Sequence, residues 1–167
     1  MAHTKLHGSP VTTIGEMPAI GTLAPGVKLT TGELKDIDLA DFRGKKVLLN
    51  IYPSIDTGVC AMSVRKFNAE AAALENTMVL GVSRDLPFAL GRFCGAEGIN
   101  RVLTLSEMRD RSFGKAYGVE ITDGPMAGLL ARSVVVIDEQ GKVVYTELVD
   151  DIVHEPNYDA ALKALKG

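Results

Sequence analysis

Lys46-Val47-Leu48-Leu49-Asn50-Ile51-Tyr52-Pro53-Ser54-Ile55-Asp56-Thr57-Gly58-Val59-Cys60 is the stretch on which the reading of this chain turns. From Val47 to Tyr52 only Asn50 interrupts an apolar run, which suits a strand buried on both faces. Pro53 ends it, since proline has no N–H to give to a sheet ladder. Beyond the loop Ser54 to Gly58, the residues Cys60, Val64, Phe67, Ala71 and Leu74 recur at steps of four, three, four and three, the spacing of one helix face. Arg65, Lys66, Asn68 and Glu70 fall off that stripe, as a solvated face requires. Strand, loop and helix in this order open an α/β domain.

Moving outward, the same logic repeats. Thr77 to Ser83 reads as a second buried strand, and Pro87 suits the first turn of a second helix, where its missing N–H costs nothing. Phe88, Arg92 and Cys94 fall on that helix or at its end, with Gly95 and Gly98 as stop signals. Val102 to Leu105 predicts a third strand, and Glu107 to Tyr117 a short helix broken by Gly114. Ser133 to Ile137 and Lys142 to Leu148 predict a hairpin joined through Asp138-Glu139-Gln140-Gly141. A last helix is expected over Pro156 to Leu165, where Tyr158, Ala161, Leu162 and Leu165 keep helical spacing. Toward the N-terminus, Leu6 and Val11 flank His7-Gly8-Ser9-Pro10 as a small edge hairpin. Pro18 to Gly44 reads as irregular with one short strand. The sum is a single domain over residues 1–167 with the sequence logic of a thioredoxin-like fold. Fold alone assigns no function.

Composition narrows the function classes. With 167 residues, 46% of them hydrophobic and 23% charged, the chain can bury an ordinary core. A net charge of −3 gives no basic footprint for nucleic acid. No apolar run approaches the ~20 residues of a membrane span, and the start MAHTKLHGSP lacks a signal-peptide stretch, so a cytoplasmic protein is the expectation. Three scattered histidines (His3, His7 and His154) and two cysteines 34 positions apart match no zinc spacing, so neither metal nor cofactor is expected.

The chemistry must then lie in the cysteines. Cys60 falls in the first turn of its helix, with Asp56 or Thr57 as candidate cap. There the unpaired backbone N–H groups and the positive end of the helix dipole favour a thiolate. Lowering a thiol from about 8.5 to about 6 takes ~3.4 kcal/mol. A helix terminus supplies roughly 0.3 to 2 kcal/mol, so a cation is needed as well. Arg132, which opens the last hairpin after Asp123-Gly124-Pro125-Met126-Ala127-Gly128, is the candidate. Arg65 competes, but five positions along one helix point it away from Cys60. Position alone leaves Cys60 open to a second reading, a plain buried cysteine on the stripe with Val64 and Phe67. Thr57 can be simply a cap, and Arg132 simply a surface arginine. Cys94 bears on the choice. A permanent Cys60–Cys94 bridge, closing a loop of about 35 residues, would stabilise the fold by roughly 4 kcal/mol in the chain-entropy estimate. Cytoplasmic conditions keep such bridges reduced unless they are catalytic or redox-sensing, which favours a transient one.

Pro53-Ser54-Ile55-Asp56-Thr57-Gly58-Val59-Cys60 resembles the peroxiredoxin active-site signature, a proline, a threonine four later and a cysteine three beyond. PSIDTGVCAMSVRKFN, SRDLPFALGRFCGAEG and DGPMAGLLARSVVVIDE extend the likeness to the bacterial thiol peroxidase branch, from about Gly8 onward. The resemblance implies a peroxiredoxin variant of the thioredoxin fold, with a central mixed sheet flanked by helices and an N-terminal β-hairpin. It implies Cys60 as the peroxidatic cysteine and Cys94 as the resolving cysteine of the same subunit, joined in an intramolecular disulfide. Thr57 would hydrogen-bond the attacking sulfur and the peroxide, Arg132 would stabilise the thiolate and polarise the departing oxygen, and Pro53 would shield the site from water. Hydrogen peroxide and alkyl hydroperoxides as substrates, thioredoxin as electron donor and a homodimer are implied in the same way. Because Cys94 sits on a separate helix, closing the bridge is expected to unwind one or both helices, eased by Gly91, Gly95 and Gly98. Two other readings stand beside this one. A thioredoxin-like disulfide exchanger would carry C-x-x-C, but Thr57 stands where its first cysteine would be. A non-enzymatic α/β binding domain would hold inert thiols.

Overall fold

The computed structural model describes residues 1–71 and 73–167. Strands β1 (His3–Leu6) and β2 (Ser9–Thr12) pair antiparallel through His7 and Gly8, whose φ values of 49° and 84° form a tight left-handed hairpin turn. The expected hairpin is therefore present, though Ser9 and Pro10 belong to its second strand rather than to its loop. Pro10 is tolerated because this two-stranded sheet is all edge.

Seven further strands form one mixed sheet: β3 (Lys28–Thr31), β4 (Asp36–Asp38), β5 (Lys46–Ile51), β6 (Thr77–Ser83), β7 (Val102–Ser106), β8 (Ser133–Ile137) and β9 (Val143–Leu148). Their spatial order is β4-β3-β7-β6-β5-β8-β9. The β5, β6 and β7 strands run parallel at the centre, and β8 joins β5 antiparallel with Ile51 opposite Ser133. Parallel neighbours demand crossover helices. These are α1 (Gly58–Glu70) between β5 and β6 and α2 (Pro87–Glu97) between β6 and β7. Gly98, at φ 66°, ends α2 in the left-handed conformation that glycine adopts without strain. A short helix α3 (Ser112–Ala116) and a terminal helix α4 (Tyr158–Lys166) complete the order.

Both faces of the central strands are covered. Leu49, Ile51, Leu80, Val82, Leu105 and Val135 meet Phe113, Tyr117 and Leu130 on one side. On the other, Leu48, Val79, Val134 and Val136 meet Phe67 and Ala71 of the α1 segment and Ala161 and Leu165 of α4. The predicted stripe holds, since Cys60, Val64, Phe67 and Ala71 are all fully buried.

Two expectations fail. The Pro18 to Gly44 segment holds two strands, β3 and β4, and a 3₁₀ turn at Leu39–Phe42, capped reciprocally by Asp38 and Asp41. Glu107 to Arg111 is not helical, because the Glu107 carboxylate is drawn into the protein by long-range partners, and the helix there spans only Ser112–Ala116. Among the described residues, no helix is long and apolar enough to cross a membrane.

Candidate active site

The carboxyl ends of β5, β6 and β7 open onto one end of the sheet, the usual location of sites in α/β folds. There β5 runs into Tyr52 and Pro53, and the loop from Ser54 to Thr57 leads into α1. This loop is fastened by Asp85, at the end of β6. One carboxylate oxygen accepts from the Ser54 hydroxyl at 2.8 Å, and the other accepts from the Ile55 amide at 2.7 Å and the Ser83 hydroxyl at 2.7 Å.

Thr57 occupies the N-cap by backbone conformation, with φ −90° and ψ 144°, yet its side chain makes no capping bond. Its hydroxyl donates to the Ser54 carbonyl at 3.0 Å instead. Neither candidate cap therefore closes the helix. Among the described residues, no acceptor reaches the amides of Gly58, Val59 and Cys60, so the first turn presents free N–H groups. Cys60 lies in this turn with no exposed surface, packed among Tyr52, Ile55, Val64 and Leu90.

The pairing of Ile51 with Ser133 carries Arg132 to the end of β5, beside the start of the loop. Arg132 is 2% exposed; its Nε donates to the Ile152 carbonyl at 2.7 Å, while Nη1 is buried with no partner. Arg132 is thus no ordinary surface arginine. Arg65, the competing cation, forks onto the Glu97 carboxylate at 3.0 and 2.7 Å and is committed elsewhere.

A cleft of about 310 Å³ joins these groups. Pro53, Thr57, Gly58 and Val59 form one wall, Met126 and Arg132 another, and Ile152, Val153, Leu6 and His7 the rest. Of the five residues singled out in the sequence, Pro53, Thr57 and Arg132 meet in this cleft and Cys60 lies in the turn behind it. Cys94 is not brought there. It is half-buried on α2, in a separate groove with Thr31, Ile37, Val102 and Thr104. Burial pushes its thiol above the ordinary value, and the nearby Thr104 hydroxyl acts the other way. Both cysteines are free.

Asp85 and Arg84 were not legible in the sequence as site residues. Arg84 donates from Nε to Glu107 at 2.7 Å and from its other nitrogens to Glu120 and the Gly128 carbonyl. Glu107 also accepts from the Gly114 amide at 2.7 Å. This clamp holds the segment 120–128 that leads to Arg132. Only the tripeptide Ser83-Arg84-Asp85 at the end of a buried strand hinted at either residue. Among the described residues, no cluster of three or more metal-binding side chains occurs.

A mixed sheet of this order, with a cysteine in the first helical turn after β5, defines a thioredoxin-like fold. Comparison with known proteins carries this to a family. Residues 19–162 match the Redoxin family model. Thiol peroxidase of Mycobacterium tuberculosis is 59% identical over 165 residues, covering 99% of both chains, and thiol peroxidase of Corynebacterium glutamicum is 55% identical with the same coverage. The crystal structure of a peroxiredoxin-like protein from Aquifex aeolicus superposes with a TM-score of 0.94 at 38% identity, over 99% of this chain and 96% of that one. The chain belongs to the redoxin family and, within it, to the peroxiredoxin-type bacterial thiol peroxidases.

Proposed function

We propose that this peroxidase reduces hydrogen peroxide and alkyl hydroperoxides in two thiol steps, as one domain spanning residues 1–167. In the first, the Cys60 thiolate attacks one peroxide oxygen, the O–O bond breaks, and the other oxygen leaves as an alkoxide or hydroxide that takes up a proton. The free N–H groups of the first turn and the Arg132 guanidinium supply donors where negative charge gathers. Because the Ser54 carbonyl holds the Thr57 proton, the Thr57 oxygen is left to accept from the peroxide O–H. Pro53 keeps bulk water off the sulfur.

In the second step Cys94 condenses with the Cys60 sulfenic acid to an intramolecular disulfide, releasing water. Cys60 is buried in the first turn of α1 and Cys94 lies in a separate groove on α2, so the ends of α1 and α2 must open for the sulfurs to meet. Thioredoxin returns the disulfide to two thiols, the working unit is a homodimer, and the setting is the cytoplasm, where both cysteines stay reduced between turnovers.

The observation that carries this reading is the convergence of Pro53, Thr57 and Arg132 in one cleft at the turn that leads to Cys60. A non-reducing peptide map after one equivalent of an organic hydroperoxide tests it, followed by addition of reduced thioredoxin. A Cys60–Cys94 linked peptide that disappears with thioredoxin is expected. Linkage between subunits, or a bridge that thioredoxin leaves intact, would overturn the corresponding part.

A further inference from the structure

Tyr52 is fully buried, and its hydroxyl has no hydrogen-bond partner, an arrangement that proteins avoid unless the group has a task. Its ring belongs to the cluster that encloses Cys60, together with Val64, Leu90 and Phe93. The hydroxyl reaches across the sheet to Gly81 on β6, where a Cβ would stand 2.8 Å from the phenolic oxygen. Glycine at 81 is what admits it. In the sheet register Gly81 pairs with Thr104 on β7, and Thr104 lines the same groove as Cys94. The phenol thus reaches from the cluster around Cys60 toward the groove that holds Cys94. Burial, then Asp85, Cys60 and Cys94, hold it far above its ordinary range, so it remains a proton-bearing donor.

We propose that Tyr52 is the positioning residue of the second thiol step: its hydroxyl donates a hydrogen bond to the Cys94 sulfur as that sulfur crosses from Thr104 toward oxidised Cys60. This rests on the two-cysteine reading above. In the step itself the Cys94 thiolate attacks the Cys60 sulfur, the S–S bond forms and the S–O bond breaks. The hydroxide released takes up the proton that Cys94 gave up, and Tyr52 keeps its own proton throughout. Burial keeps Cys94 a thiol at rest, so a donor at its sulfur stabilises the negative charge that appears there as the proton leaves, and it does nothing for the peroxide step.

Tyr52→Phe removes one oxygen and leaves the ring. Since that oxygen is buried without a partner, its loss should leave melting unchanged or raise it, so a slower reaction cannot be assigned to damaged folding. The experiment mixes reduced wild type, Tyr52→Phe and Cys94→Ser with one equivalent of an organic hydroperoxide. Rapid quenching and intact mass then follow sulfenic acid formation and decay separately. Tyr52→Phe should form the sulfenic acid at the wild-type rate and lose it to disulfide about 10-fold more slowly, the loss of one transition-state hydrogen bond. More of it should be trapped by a sulfenic-acid reagent. Wild-type decay in Tyr52→Phe, with Cys94→Ser still blocked, would overturn the role of Tyr52 alone. Wild-type decay in Cys94→Ser would instead overturn the two-cysteine reading.

Discussion

Replacing Arg84 by methionine should unfold this protein more readily, and more so at neutral than at acid pH. The Arg84 side chain is 7% exposed and that of Glu107 is 0% exposed. Methionine keeps the length and removes the charge, so the Glu107 carboxylate is left buried with only the Gly114 amide to answer it. Removing one member of a buried pair costs about 3 to 5 kcal/mol. At 2 to 4 °C per kcal/mol for a chain of this size, melting should fall by roughly 6 to 20 °C at pH 7.5. The sign of the pH effect follows from Glu107. Burial already lifts its carboxyl above the ordinary value despite Arg84, and loss of the cation lifts it further. A raised folded value means that stability is present below the unfolded value and is lost as pH climbs through the folded one. The variant should therefore lie nearer to wild type at pH 5 than at pH 7.5. Thermal unfolding followed by circular dichroism at the two pH values measures both. A shift under 2 °C at each pH, or a larger loss at pH 5, would refute the clamp.

Arg132→Met should slow sulfenic acid formation by about 100-fold or more, as loss of a preorganised charge donor does, with the far-ultraviolet spectrum unchanged; single-turnover mass spectrometry reads it. Asp85→Ala leaves the Ser54 hydroxyl and the Ile55 amide without their acceptor, so about 1 to 3 kcal/mol of stability in urea and part of the peroxide rate should be lost together. Arg65→Ala releases the exposed clasp to Glu97 that ties α1 to the end of α2, and disulfide closure should quicken by about twofold to fivefold in the same quench assay. Raised by burial, the Cys94 thiol favours the folded state until pH passes the ordinary thiol value, above which the unfolded chain ionises first. Melting of reduced wild type should thus fall more steeply than that of Cys94→Ser between pH 8.5 and 10.

The parts of the fold written in local pattern were legible in the sequence. Thr77–Ser83 and Ser133–Ile137 stand as read, because buried strands announce themselves as short β-branched and leucine runs. One short strand was expected where β3 and β4 lie, because both are short and polar and are turned by Leu34 at φ 66°, a conformation that leucine seldom adopts. Glu107 misled as a helix start because its partner Arg84 is 23 residues away, and pattern reading does not reach so far. At the site, the position of Cys60 followed from strand, proline and helix spacing. The place of Arg132 needed the register Ile51 to Ser133, which nothing local encodes. Asp85 and the match of Tyr52 to Gly81 likewise depend on strands being neighbours in space.

The division of labour between the two thiols is tested most directly by the intact mass of reduced wild type, Cys60→Ser and Cys94→Ser after mixing with one equivalent of an organic hydroperoxide. Wild type should lose two mass units as the disulfide forms, Cys94→Ser should gain 16 as a trapped sulfenic acid, and Cys60→Ser should stay unchanged on the same timescale. Oxidation of Cys60→Ser as fast as wild type would contradict the assignment of Cys60 as the attacking thiol.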